Sequence, residues 1–161
     1  MKYKELEAIA SLLSSYKHLK EIKRVDFNIL RAEFEKGFIV YFSLQKESPS
    51  IFITDDDISQ NIPQAPFDSI LARRFRRANL SVEVLPNDKV LLIRSSIQGA
   101  YKVEYSILRM EFIPRNSNAL ILDENNIVLE ALRHSSKEGN DREVVVGKHL
   151  EELPPPPFVF S

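Results

Sequence analysis

The sequence holds no cysteine and only four glycines in 161 residues, and each shortage removes a class of chemistry. Without cysteine there are no disulfides, no thiolate nucleophiles and no cysteine-ligated zinc, so a reducing compartment is allowed. Four glycines leave little room for a phosphate-cradling loop. Neither a GxGxxG nor a Walker pattern occurs, which argues against a nucleotide-hydrolysing enzyme. No run approaches the ~18 apolar residues of a membrane-crossing helix. The opening MKYKELEAIASLLSS places Lys and Glu inside an amphipathic pattern where a signal peptide would be apolar. A cytoplasmic protein with no membrane partner is expected. His18, His134 and His149 lie in separate segments without HxxH or HExxH spacing, and there is no Gly-x-Ser-x-Gly elbow. Neither a metal or other cofactor nor a catalytic triad is expected.

What is present suits one soluble globular domain. Hydrophobic residues make up 43% of the chain and charged residues 28%, enough to bury a core without staples at this length. The net charge of −1 conceals a local separation. Asp55-Asp56-Asp57 is an acidic run, and Arg73, Arg74, Arg76 and Arg77 form a basic one.

Leu6, Ile9, Leu12 and Leu13 recur at helical spacing and predict a helix over residues 4–15. Residues 22–53 are rich in β-branched and aromatic side chains, including an alternation of Val25, Phe27 and Ile29, and read as a meander of three or four strands. Phe67, Ile70, Leu71 and Phe75 then give a second helix opened by Pro66, which the first helical turn tolerates. Further strands are expected over residues 80–85, 90–93, 101–112, 119–122 and 127–132, separated by turn-forming residues. The fold class expected is α+β: an antiparallel β-sandwich of two sheets with two flanking α-helices. This domain spans residues 1–153. Four consecutive prolines follow, and residues 154–161 read as an extended linker.

On the second helix, Arg73, Arg76 and Arg77 fall on the side away from Phe67, Leu71 and Phe75, with Arg74 nearer the apolar stripe. Clustered guanidinium groups suit an RNA backbone, since each fits phosphate oxygens bidentately. The same arginines would serve equally as a solvated face paired with Asp68, Glu83 or the Asp55-Asp56-Asp57 run. Asn87-Asp88-Lys89 is a turn by composition.

The stretch RMEFIPRNSNALILDENNIVLEALRHSSKEGNDREVVVGKHLEELPPPP, starting at Arg109, carries several small motifs in order. Glu111-Phe112-Ile113 precedes Arg115-Asn116-Ser117-Asn118. An apolar strand ending in Asp123 follows, then Ala131-Leu132-Arg133, then Arg142-Glu143-Val144-Val145 and Leu153-Pro154-Pro155. This order resembles the N-terminal domain of the NFACT family, the fibronectin-binding-protein-A-like proteins. The family has an Glu-Ile-Met segment, a Gly-Arg-His-Ser-Asn block, an ALR-type strand, a REVLPG-like turn and LPP at matching places.

The resemblance implies a fold like the N-terminal domain of formamidopyrimidine-DNA glycosylases. It does not imply their chemistry, because those enzymes use an N-terminal Pro followed by Glu and this chain begins Met1-Lys2-Tyr3. A non-enzymatic domain is expected. The family engages large ribosomal subunits blocked by a peptidyl-tRNA and recruits tRNA, so that the stalled chain gains an alanine-rich C-terminal tail. Asp88-Lys89 stands where the family has an Asp-Arg pair that engages tRNA. Lysine keeps that charge but loses the planar fork. With Arg73, Arg74, Arg76 and Arg77, this pair forms the implied tRNA-binding set. Glu111, Phe112, Ile113, Arg115 and Asn116 form the implied ribosome or RNA contact. Family members continue into further domains, so the chain is expected to be an N-terminal fragment. The family's older name supplies the alternative, a surface adhesin domain that binds fibronectin or fibrinogen.

Overall fold

The computed structural model describes residues 1–86, 88–136 and 142–151. Helix α1 covers Tyr3–Leu13 and buries Leu6, Ala10 and Leu13, the i, i+4, i+7 stripe that one helix face provides. Leu12 stays exposed. Four strands follow: β1 (His18–Asp26), β2 (Ile29–Phe34), β3 (Ile39–Ser43) and β4 (Ser50–Phe52). After helix α2 (Pro66–Phe75) come β5 (Ala78–Val84), β6 (Val90–Gln98), β7 (Val103–Glu111), β8 (Asn118–Asp123) and β9 (Val128–Ala131). The fold is α+β, and its sheet is antiparallel throughout.

The alternation of Val25, Phe27 and Ile29 does not lie on one strand. Asp26 pairs with Ile29, so Phe27 and Asn28 form a two-residue hairpin loop. The Asp26 carboxylate accepts the Phe27 N–H at 2.8 Å, the local bond that makes Asp a turn former. Phe27 is left exposed.

In place of two hydrogen-bonded sheets there is one ladder of nine strands, in the order β4-β3-β2-β1-β5-β6-β7-β8-β9. Alternation reports which face a side chain takes, and it is blind to whether the ladder is broken. The weak join is at the middle, where β1 and β5 share only His18↔Asn79 and Leu19↔Ala78. About that join the sheet folds back on itself. The Arg115 N–H donates to the Lys46 carbonyl at 2.6 Å, and Ser117 Oγ donates to the Leu44 carbonyl at 2.8 Å. Leu44 follows β3 and Ser117 precedes β8, and these strands stand six places apart in the order. On a flat sheet that is roughly 29 Å, at ~4.8 Å per strand. The two halves therefore enclose one core, in which Leu30, Phe34 and Phe42 join Leu91, Leu108 and Phe112.

Helix α2 lies against β1 and β6 and buries Phe67, Leu71 and Phe75 in that core. Its first turn is tied down by Asp68, which accepts the Ala65 N–H at 2.8 Å and grips Arg24 of β1 at 2.7 and 2.8 Å. Residues 142–150 cross the outer face of β8 and β9. The Gly147 N–H donates to the Val128 carbonyl and the Val128 N–H to that of Lys148, while Val144 and Leu150 cover Leu120, Leu122 and Val128. Residues 152–161, which hold the proline run read as a linker, lie outside the described residues.

Candidate nucleic-acid interface

Strands β6 and β7 pair from Val90↔Glu111 at one end to Gln98↔Val103 at the other. The implied binding residues divide between these two ends. Asp88 and Lys89 sit in the turn before β6, where the Phe112 N–H donates to the Lys89 carbonyl at 2.8 Å. They stand beside residues 111–116. The arginines of α2 lie at the opposite end, against Glu104. Glu104 and Glu111 are about 24 Å apart along the strand, at ~3.4 Å per residue. Asp88-Lys89 is thus a neighbour of the implied ribosome contact and is remote from the arginine patch with which it was grouped.

At the arginine end the four side chains have different fates. Arg74 runs along the core edge, with Nη1 donating to Ser106 Oγ at 3.0 Å and Nη2 lying 3.7 Å from Glu104. Its Nε is buried without a partner among the described residues. Arg73 approaches Glu104 at 4.0 Å. The carboxylates that could have neutralised the rest are engaged elsewhere, Asp68 with Arg24 and Glu83 with Arg94. Arg76 and Arg77 are exposed, and no carboxylate among the described residues is within ion-pair distance of either. Arg77 closes the helix in the left-handed region, with φ +50°, and its N–H donates to the Lys20 carbonyl at 2.9 Å. Glycine is the usual residue at such a position. Arg73, Arg76 and Arg77 line a shallow depression of about 590 Å³ together with Ser69, Ala72 and Ile97.

At the loop end, burial separates the residues. Glu111 is fully buried, between Arg109 Nε at 2.8 Å and Arg142 Nη2 at 2.5 Å. Phe112 is also fully buried, inside the core. Neither side chain is presented to a partner. Glu111 lies on the outer face of β7, a position that alternation alone would give to solvent, and residues 142–150 roof it over. Ile113 is half-buried, whereas Arg115 and Asn116 are exposed. Asp88 and Lys89 are half-buried, less open than a simple surface turn. Asn87 is outside the described residues.

Three cations missed in the sequence gather beside Arg115: Lys46, Arg133 and Arg142. They come from three distant segments, so no spacing rule could have grouped them. Arg133 Nη1 donates to the Ser117 carbonyl, and its Nη2 donates to Asn28 Oδ1 at 2.9 Å and to the Leu44 carbonyl at 2.8 Å. Asn118 holds the Arg133 backbone from both sides, donating to its carbonyl at 2.8 Å and accepting its N–H at 3.0 Å. All these acceptors are neutral. Burial holds the Arg133 guanidinium below the ordinary arginine pKa, because desolvation disfavours the charged form.

No family model and no curated protein matches the sequence. Solved structures do match in shape. The N-terminal domain of fibronectin-binding protein PavA from Streptococcus pneumoniae superposes with a TM-score of 0.81 at 19% identity, covering 94% of this chain and 61% of that one. The N-terminal part of the fibronectin/fibrinogen-binding protein from Streptococcus suis gives 0.78 at 16% identity, covering 92% and 60%. The fibrinogen binding protein from Staphylococcus aureus gives 0.72 at 15% identity, covering 96% and 55%. At such identities the likeness establishes a common fold. The chain spans under two thirds of the length of each of these structures.

Proposed function

We propose that this chain is a non-catalytic, cytoplasmic tRNA-binding domain of an NFACT-type factor, which engages stalled large ribosomal subunits and recruits tRNA for C-terminal tailing. The observation that carries this reading is the depression at the end of α2, which Arg76 and Arg77 line beside Arg73, and in which neither Arg76 nor Arg77 has a carboxylate within ion-pair distance among the described residues. Unpaired guanidinium groups at the end of a packed helix attract a phosphate backbone and bond it bidentately. The motif order from Glu111 to Arg142 and the shape likeness to fibronectin-binding-protein N-terminal domains agree with it. Asn116 and Arg115, exposed at the other end, are the residues left to meet ribosomal RNA, since Glu111 and Phe112 are buried. Asp88 and Lys89 then act beside that contact.

The test is co-sedimentation of the protein with large ribosomal subunits carrying peptidyl-tRNA, followed by identification of the co-purified tRNA. Arg76→Ala with Arg77→Ala is expected to reduce recovered tRNA at least tenfold and leave subunit association in place. Equal tRNA recovery with the double variant would remove the arginine patch from the account. A second reading, binding of fibronectin or fibrinogen, is favoured by what the matching structures' own names say of those proteins. Tight capture of immobilised fibronectin by a protein that ignores tRNA would replace the first reading with the second.

A further inference from the structure

The geometry points to a phosphate-binding pocket at the loop end, in the cleft walled by Lys46, Arg115, Arg133 and Arg142. This inference stands on different residues from the arginine patch and does not need the tRNA reading. The cleft measures about 200 Å³ and is lined by one apolar side chain, Val144, among polar and cationic ones. That is room for a phosphate group and a few waters, at ~30 Å³ per water, and it is below the ~300 Å³ at which drug-sized ligand pockets begin. Only the charged group of a larger molecule enters.

Charge selects the ligand. No carboxylate among the described residues lines the cleft. Arg142 is already paired with Glu111 and forms a fixed wall. Arg133 has partnered donors and an uncompensated charge: its guanidinium is half-buried, and among the described residues it donates to carbonyl, hydroxyl and amide oxygens and to no carboxylate. A desolvated charge without a counter-charge costs free energy, and an anion in the cleft would supply what the protein does not. Lys46 and Arg115 are exposed at the rim, with no ion pair among the described residues, so their donors are available. Their relative placement is set by the Arg115 N–H bond to the Lys46 carbonyl, 2.6 Å. Arg115 is held there at φ +69°, a conformation costing a non-glycine residue ~1–2 kcal/mol. Two rim cations joined through their backbones, above a wall of fixed positive charge, suit a doubly charged tetrahedral oxyanion.

Titration of the isotope-labelled 161-residue chain with inorganic phosphate, followed by amide NMR, tests this. Two short oligoribonucleotides of one sequence, with a 5′-phosphate or a 5′-hydroxyl, are titrated alongside. Saturable shifts are expected at the amides of residues 115–117 and 133–135, weakened at least tenfold by Lys46→Gln with Arg115→Asn. Asn tolerates the left-handed backbone, and both positions are exposed, so the variant keeps its fold. Preference for the 5′-phosphorylated oligonucleotide identifies a terminal phosphate as the source, and equal binding of the two identifies a backbone phosphodiester. Absence of saturable shifts at these amides with all three probes, or shifts that the double variant leaves unchanged, overturns the pocket.

Discussion

Arg77 and Arg115 share a feature that composition does not reveal: each sits in the left-handed region, at φ +50° and +69°, and each carries an exposed guanidinium at a cationic surface. A long L-residue there is strained, and strain of this kind gathers where a side chain is needed in a particular place. Arg77→Gly is accordingly expected to stabilise the fold by about 0.5–1 kcal/mol, read from the urea midpoint, while weakening tRNA binding. Loss of stability on this substitution would mean that Arg77 is packed and not strained. At the same scale, Glu111 illustrates why site residues were hard to read. Its place on β7 predicts a surface carboxylate, yet Arg109 and Arg142 bury it. The covering residue lies 31 positions along the chain. Local pattern carries no information about such a roof.

Among the elements, the start and buried face of α2 were legible because Pro66 and the stripe of Phe67, Leu71 and Phe75 mark them, but its end was not: Arg76 and Arg77, read as lying on the helix, follow it in extended and left-handed backbone. The strands were legible as segments. The hairpin at Phe27 was not, since Val25 and Ile29 remain on alternating parity across a two-residue loop. The arginine end of α2 is aimed by its other end, where Asp68 clamps Arg24 of β1. Burial pushes the Asp68 carboxyl up, but the Arg24 hydrogen bonds, the Ala65 N–H and the Arg24 charge outweigh it and hold the pKa below the usual aspartate value. A depressed folded-state pKa contributes stability that is present above the unfolded value of about 3.9 and is lost as pH falls through the folded one. Asp68→Asn is therefore expected to cost about 1–3 kcal/mol at pH 7. The gap from wild type should shrink as pH is lowered below ~4, in urea unfolding followed by circular dichroism. A gap that persists undiminished at pH 2 would show that the clamp acts through shape and not through charge.

For the whole molecule, the folded sheet decides which residues can act together. A flat reading of the strands leaves Lys46, Arg115 and Arg133 unrelated, whereas closure of the sheet over one core brings them to one cleft. The same closure leaves the α2 arginines at the far end of β7, so the chain offers two separate cationic surfaces in a molecule of net charge −1. RNA binding is the central claim, and its most direct measurement is the salt dependence of tRNA affinity for the wild-type chain and for Arg76→Ala with Arg77→Ala. Phosphate contacts release counterions, so log affinity should fall linearly with log salt, with a slope of roughly −2 to −4.5 for three to five contacts. The double variant should flatten that slope by about 1.4–1.8. Affinity that is independent of salt, or a slope unchanged by removing both arginines, would contradict the account.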